Sequence, residues 1–152
     1  MNSCALGLDV GDRRVGVALS DPDGLIALPL TTIQERDQES AIRAIVGLIE
    51  THNVGRVVVG LPRLMGGEEG EQAGKVRDFA QALSMRITQP IDWWDERLST
   101  VAAEKLLGGG DTRKERDRRE SNAREKRKAN RDSLAAALFL QAYLDYKRAL
   151  LT

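Results

Sequence analysis

Apolar residues gather in five short segments that predict β-strands. The first three segments, at 4–10, 14–20 and 25–31, are separated only by "GDR" and "DPDG". Links this short can join only antiparallel neighbours, so they predict a three-stranded meander. A fourth strand is predicted at "RVVVGLP", where Pro62 and a glycine-containing loop end it, and a fifth at "RITQPIDWWDE", running to about Asp95.

Helical spacing of apolar residues fills the intervals between the later strands. Two stripes at i, i+3, i+4 and i+7 predict amphipathic helices: Ile42, Ile45, Val46 and Ile49, then Val76, Phe79, Ala80 and Leu83. A short helix is predicted over 99–107, before "GGG", and a last one from about Asp132 to Leu150. The order β-β-β-α-β-α-β-α-α predicts an α/β fold, a five-stranded mixed sheet with helices on both faces.

Composition limits the class of protein. The chain has 152 residues, 41% of them apolar, which suits one domain spanning 1–152 with its own core. No apolar run approaches the roughly 18 residues that span a membrane, and no signal peptide is visible. We therefore expect a cytoplasmic protein without a membrane partner. The single cysteine excludes a disulfide framework.

Charge is balanced overall but unevenly distributed. The chain has 23 basic and 23 acidic residues, yet the segment 111–131, "DTRKERDRRESNAREKRKANR", holds ten basic and five acidic residues, which nets +5. Without apolar anchors it reads either as a mobile, solvated segment or as a flap whose basic side chains, over 113–131, bind a nucleic-acid backbone.

Three carboxylates lie at positions where each has an ordinary explanation. Asp9 ends an apolar strand, where it could form an Asx turn with the amide near Gly11. Glu96 follows the fifth strand and could be a solvated loop acid. Asp132 could cap the last helix, although helical spacing places it on a face with Ala135, Ala136, Phe139 and Tyr143, which predicts that it points inward.

Convergence of these acids on one sheet edge would predict a metal site. Three carboxylates repel one another unless cations neutralise them, and no lysine or histidine is placed by the sequence as a counter-ion. Carboxylate oxygens suit Mg²⁺ or Mn²⁺, whereas one cysteine and one histidine do not suit zinc. Two such metals could activate water and stabilise the leaving oxygen of a phosphodiester.

Four segments, in order, resemble the hallmark motifs of the YqgF/RuvX family: "GLDVGDRRVGVALSD", "VVVGLPRLMGGEEG", "DERLST" and "KRKANRDSLAAALFLQAYL". The resemblance covers almost the whole chain. It implies an RNase H-like fold and a nuclease that acts on Holliday junctions, on precursor 16S ribosomal RNA, or on both. In this chain Arg131 replaces the apolar residue expected before the last family aspartate.

The resemblance also implies roles for individual residues. The metal-binding and catalytic triad would be Asp9, Glu96 and Asp132, with Mg²⁺ or Mn²⁺ as cofactor. Asp95 is a second-rank candidate ligand. Candidate contacts to nucleic acid are Arg13, Arg14, Arg97, Lys126, Arg127 and Lys128.

Two other functions stay open on the sequence alone. The opening segment also resembles the phosphate-binding hairpin of actin-like ATPases, although the chain has room for only one of the two domains that bind ATP in those proteins. A non-catalytic RNA-binding or ribosome-assembly module could keep the same fold. Symmetric cutting of a branched DNA junction would in addition require a homodimer, whereas trimming an RNA end would not.

Overall fold

The five predicted strands form one mixed sheet. A computed structural model describes residues 3–98 and 120–151, and over 120–129 it describes the helix but not the side chains. The strands are β1 (Cys4–Val10), β2 (Val15–Ser20), β3 (Ala27–Ile33), β4 (Val54–Leu61) and β5 (Ile91–Asp95), in the spatial order β3-β2-β1-β4-β5. Pairing is antiparallel between β1 and β2 and between β2 and β3, and parallel from β1 to β4 and from β4 to β5. The predicted fold class is confirmed.

Helices cover both faces of this sheet. On one face lie α1 (Gln38–Thr51) and α2 (Glu71–Ser84), and on the other lies α3 (Glu120–Leu150); a single 3₁₀ turn, Glu96–Leu98, follows β5. Helix α1 begins where the Asp37 side chain accepts a hydrogen bond from the Ser40 amide at 2.7 Å. No helix in the described part of the chain is both long and apolar enough to cross a membrane.

The last helix begins earlier than predicted. It starts at Glu120, not near Asp132, so the second half of the charged segment is helical and Asp132 lies in the helix interior. The physical reason is that residues 120–131 contain no glycine or proline and are rich in alanine, arginine, lysine and glutamate, which favour helix without apolar anchors. The predicted helix over 99–107 and the first part of the charged segment lie outside the described residues.

Strand alternation separates two cores. On β1, Leu6 and Leu8 point towards α1 and α2 and are fully buried, whereas Ala5 and Gly7 face α3. The α1–α2 side is built from large aliphatic residues. The α3 side combines small sheet residues with large helix residues, among them Ala18, Phe139, Leu140 and Leu144.

Glycines let α3 lie very close to the centre of the sheet. A Cβ atom built on Gly16 would stand 2.1 Å from the backbone oxygen of Asp132, and one on Gly7 would stand 3.1 Å from the Cβ of Leu140. Real Cβ atoms do not make a contact of 2.1 Å, and the obstructing atom belongs to backbone that cannot rotate away. Gly16 therefore sets the distance at which this helix crosses β2.

We expect Gly16→Ala to lower the free energy of unfolding by about 1–3 kcal/mol, because the added methyl group pushes α3 off the sheet. The control is Gly47→Ala on α1, where an added Cβ meets nothing within 4 Å. That substitution should raise stability by about 0.5–1 kcal/mol through the helix preference of alanine. Urea denaturation of both variants measures the difference, and a Gly16→Ala variant as stable as wild type would contradict the close packing.

Candidate active site

Asp9 lies at the centre of the sheet with its side chain on the α3 face. It pairs across the ladder with Gly16, so the residue opposite offers no side chain to shield it from the helix. The amide of Gly11 donates to the carbonyl of Arg14 at 2.8 Å, which closes the hairpin without the Asx turn considered above. Burial raises the pKa of Asp9, and the charge of Asp132 raises it further, while a hydrogen bond with Glu96 opposes both effects.

Glu96 joins Asp9 from the end of β5. Its carboxyl group lies over Gly60, where an added Cβ would come within 2.6 Å of Oε1 and 2.9 Å of the Phe139 ring. Burial, followed by the charge of Asp9 and their hydrogen bond, raises the pKa of Glu96 to about 8. The solvated-loop interpretation is therefore wrong: the Glu96 carboxyl is partly buried and hydrogen-bonded to Asp9, which favours its protonated form.

Asp132 approaches the pair from α3. The predicted inward face is confirmed by the burial of Ala136, Phe139 and Tyr143, and Ala135 is partly buried. Since the helix begins twelve residues earlier, at Glu120, the N-cap interpretation of Asp132 is wrong.

An arginine that the sequence did not identify as a counter-ion binds Asp132. Arg14 Nε donates to Asp132 Oδ2 at 2.8 Å, and the two side chains are 22% and 31% exposed. The spacing of the two residues did not predict this pairing, because 118 residues separate them. A basic residue on the same strand face as Asp9 was the one available hint.

Asp95 contacts arginines and not the other acids of the site. Its carboxylate accepts hydrogen bonds from the backbone amide of Arg97 at 3.0 Å and from the Arg97 guanidinium at 2.7 Å, with Arg63 Nε at 3.8 Å. The Arg97 hydrogen bonds lower the pKa of Asp95. Two arginines thus compensate this acid, and Asp95 stays a second-rank candidate ligand.

The predicted nucleic-acid contacts fall into three situations. Arg13 is exposed at the β1–β2 turn. Arg14 and Arg97 are bound to acids of the site, although the Arg97 side chain remains 42% exposed. Lys126, Arg127 and Lys128 lie on α3, and their side chains are outside the described part of the structure. Arg63, which the sequence analysis missed, also donates to the carbonyl of Gly67 at 2.9 Å and so holds the loop after β4.

The donor set fits a hard divalent cation. Asp9, Glu96 and Asp132 offer only carboxylate oxygens, the ligands that Mg²⁺ and Mn²⁺ prefer, and a cation could replace the proton between Asp9 and Glu96. Among the described residues no three acidic, histidine or cysteine side chains form a ready-made metal cage. Arg14 contacts Oδ2 of Asp132, one of the oxygens that such a cation would use.

Comparison with known proteins identifies relatives along nearly the whole chain. The family model described as "RuvX: Holliday junction resolvase" matches residues 3–146. A protein of Chloroflexus aurantiacus named "Putative pre-16S rRNA nuclease" is 47% identical over 144 residues, covering 95% of this chain and 88% of that protein. A protein of the same name from Carboxydothermus hydrogenoformans is 46% identical over 143 residues, covering 93% and 96%.

Solved structures share the fold at low sequence identity. Thermus thermophilus RuvC in complex with a Holliday junction substrate superposes with a TM-score of 0.57 at 13% identity, over 97% of this chain and 96% of that one. The resolvase of Fowlpox virus, crystallised with Holliday junction DNA, gives a TM-score of 0.52 at 12% identity, over 98% and 99%. These likenesses show an RNase H-like fold of the resolvase type.

The proton on Glu96 predicts how stability depends on pH without metal. The folded state keeps this proton up to a pKa of about 8, whereas the unfolded chain releases it near the ordinary value of 4.5. In a chelator, the free energy of unfolding should therefore fall as pH rises from about 5.5 to 8.5. Glu96→Gln should flatten this slope, because glutamine does not ionise.

The control for this measurement is Glu50→Gln, which removes an exposed acid from α1 and should keep the wild-type slope. Denaturant titrations at several pH values measure all three proteins. Parallel slopes in wild type and Glu96→Gln would show that Glu96 is ionised in the folded protein at neutral pH.

Proposed function

Because the chain belongs to the RuvX family of Holliday junction resolvases, a nuclease family, we propose that it is a divalent-metal-dependent nuclease with its active site at Asp9, Glu96 and Asp132. The observation that carries the proposal is the partly buried, hydrogen-bonded pair of Asp9 and Glu96, with Asp132 beside it. Buried carboxylates in contact are costly, and a fold keeps them where their charge is used.

Their chemistry suits hydrolysis of a phosphodiester. Bound Mg²⁺ or Mn²⁺, as one ion or a pair, would activate water and stabilise the leaving oxygen. Asp9, near the end of the central strand, and Glu96, directly after β5, would provide one half of the site. Asp132 provides the other half from the helix. No covalent enzyme intermediate is needed.

Structured RNA is the substrate we propose, specifically the 5′ end of precursor 16S ribosomal RNA. Support comes from relatives at 40–47% identity that carry the name pre-16S rRNA nuclease. The family description favours a second candidate, the four-way DNA junction, which would require two copies of the chain in a symmetric dimer. The free thiol of Cys4 suits action in a reducing compartment such as the cytoplasm.

Affinity for the backbone of either nucleic acid would come from the basic segment. Residues 113–131 hold ten of the chain's 23 basic residues, and from Glu120 onward they lie on the helix that holds Asp132. Arg13 and Arg97 would add contacts nearer the acids.

We expect calorimetry to detect Mn²⁺ binding to the wild type and to find it lost in Asp9→Asn. Cleavage should fall at least about 100-fold in Glu96→Gln and in Asp132→Asn, because each removes a ligand for the charge-stabilising ion. The assay offers a precursor 16S rRNA fragment and a synthetic four-way junction in parallel, each with Mg²⁺ or Mn²⁺.

The control is Glu50→Gln, which removes an exposed acid and should retain activity. Preferential cutting of the RNA supports rRNA processing, and preferential symmetric cutting of the junction would replace it with junction resolution. Equal Mn²⁺ binding by wild type and Asp9→Asn would remove Asp9 from the site. Tight RNA binding without cleavage would identify a non-catalytic binding module.

The basic segment gives a separate prediction. Neutralising Lys126, Arg127 and Lys128 to glutamine should weaken binding of the RNA fragment and lower the slope of log K against log salt by about two to three. Fluorescence anisotropy over a salt series measures this slope with catalytically inactive Asp132→Asn as the parent protein. An unchanged slope would exclude these three residues from the backbone contact.

A further inference from the structure

The site balances its negative charge with its own side chains. Asp9 and Glu96 hydrogen-bond to each other, and Asp132 is bound by Arg14 at 2.8 Å. Among the residues whose side chains the structure describes, Arg14 is a cation in direct contact with an acid of the proposed triad. A metal that binds Oδ2 of Asp132 must compete with it.

The fold explains why Arg14 reaches this carboxylate. Arg14 and Gly16 share one face of β2 by strand alternation, and Gly16 brings the backbone of Asp132 against the strand. The carbonyl of Arg14 accepts the Gly11 amide at 2.8 Å, which fixes the start of its side chain. The pair is therefore placed by the same close packing that places the site.

The Arg14 side chain is also within reach of solvent. Arg14 is one of the residues that line a cavity of about 330 Å³ on the α1–α2 side of the β1–β2 hairpin, with Arg13, Arg36 and Lys75, whereas its guanidinium points to Asp132 on the α3 side. Since its side chain is 22% exposed, a guanidinium released from Asp132 can turn outward without unfolding the hairpin.

We propose that Arg14 is an exchangeable counter-ion: it holds Asp132 until a divalent cation binds there, and its released guanidinium then contacts a phosphate of the nucleic acid. This inference rests on the proposed function and deepens it. The released guanidinium suits this contact, because its planar donors match two phosphate oxygens.

An exchangeable Arg14 would affect metal binding and substrate binding in opposite directions, whereas a purely structural ion pair would affect both in the same direction. Arg14 opposes the metal in two ways, by occupying Asp132 Oδ2 and by its positive charge. Removing it should therefore strengthen metal binding while it weakens substrate binding. If Arg14 instead held Asp132 in position as a ligand, its removal would weaken both.

Calorimetric titration with Mn²⁺ alone, near pH 7.5, measures the first effect. We expect Arg14→Gln to bind Mn²⁺ about three- to tenfold more tightly than wild type, and Arg14→Lys, which keeps the charge, to stay within about twofold. The matched control is Arg36→Gln, an exposed arginine lining the same cavity, which should change Mn²⁺ affinity less than Arg14→Gln does.

Kinetics at saturating Mn²⁺ measure the second effect. Arg14→Gln should raise KM for the nucleic acid about threefold or more, and Arg14→Lys should restore part of the loss. A thermal melt adds a readout without substrate: Arg14→Gln should lose stability relative to wild type in a chelator and recover it in excess Mn²⁺.

The outcomes distinguish this proposal from the proposed function. If wild type binds Mn²⁺ and Asp9→Asn does not, while Arg14→Gln binds as wild type does or more weakly, the exchange role of Arg14 is overturned and the nuclease proposal stands. If wild type binds no Mn²⁺ at all, the metal-dependent nuclease proposal fails, and the exchange proposal fails with it.

Discussion

The close crossing of α3 over β2 is the contact on which the site depends. The backbone oxygen of Asp132 lies where the Cβ of any residue other than glycine would stand at position 16. Because Gly16 is also the cross-strand partner of Asp9, this one missing side chain brings the helix acid to the strand acid. On the neighbouring strand β4, the absence of a side chain at Gly60 leaves room for the Glu96 carboxyl group. Small residues on one sheet face thus create both the packing and the site.

Burying carboxylates together requires compensation, and each acid of the site receives a different kind. Glu96 keeps its proton and shares it with Asp9, Asp95 is bound by two arginines, and Asp132 is bound by Arg14. The proton and the Arg14 contact are the compensations that a divalent cation can replace. Arg97 forms several hydrogen bonds to the Asp95 carboxylate, and Arg63 adds an ion pair at 3.8 Å. This tighter arrangement favours a structural role for Asp95.

Sequence patterns predicted the elements more accurately than their contacts. Apolar segments bounded by short turns predicted β1 with the bounds observed in the structure, and helical spacing predicted which face of α3 points inward. The predicted start of α3 was wrong. Apolar residues at helical spacing begin only near Asp132, whereas residues with high helix propensity extend back to Glu120. The Arg14–Asp132 pair could not be predicted, since it depends on the crossing of two elements 118 residues apart. The three acids were candidates from their positions at strand and helix ends, and the resemblance then assigned them as a metal-binding triad. The structure adds the close packing of α3 as the reason why Asp132 approaches the other two.

The helical beginning of α3 changes what the basic segment can do. A mobile tether would place its charges at no fixed distance from the acids, whereas a helix rises about 1.5 Å per residue. Residue 128 therefore lies about 6 Å along the axis from Asp132, close to one helical turn. A nucleic-acid backbone bound along this part of α3 would reach the acids in a fixed register. In that arrangement the same helix would bind the nucleic-acid backbone and hold one of the catalytic acids. Discrimination between RNA and a DNA junction would then depend on the surfaces that flank this helix.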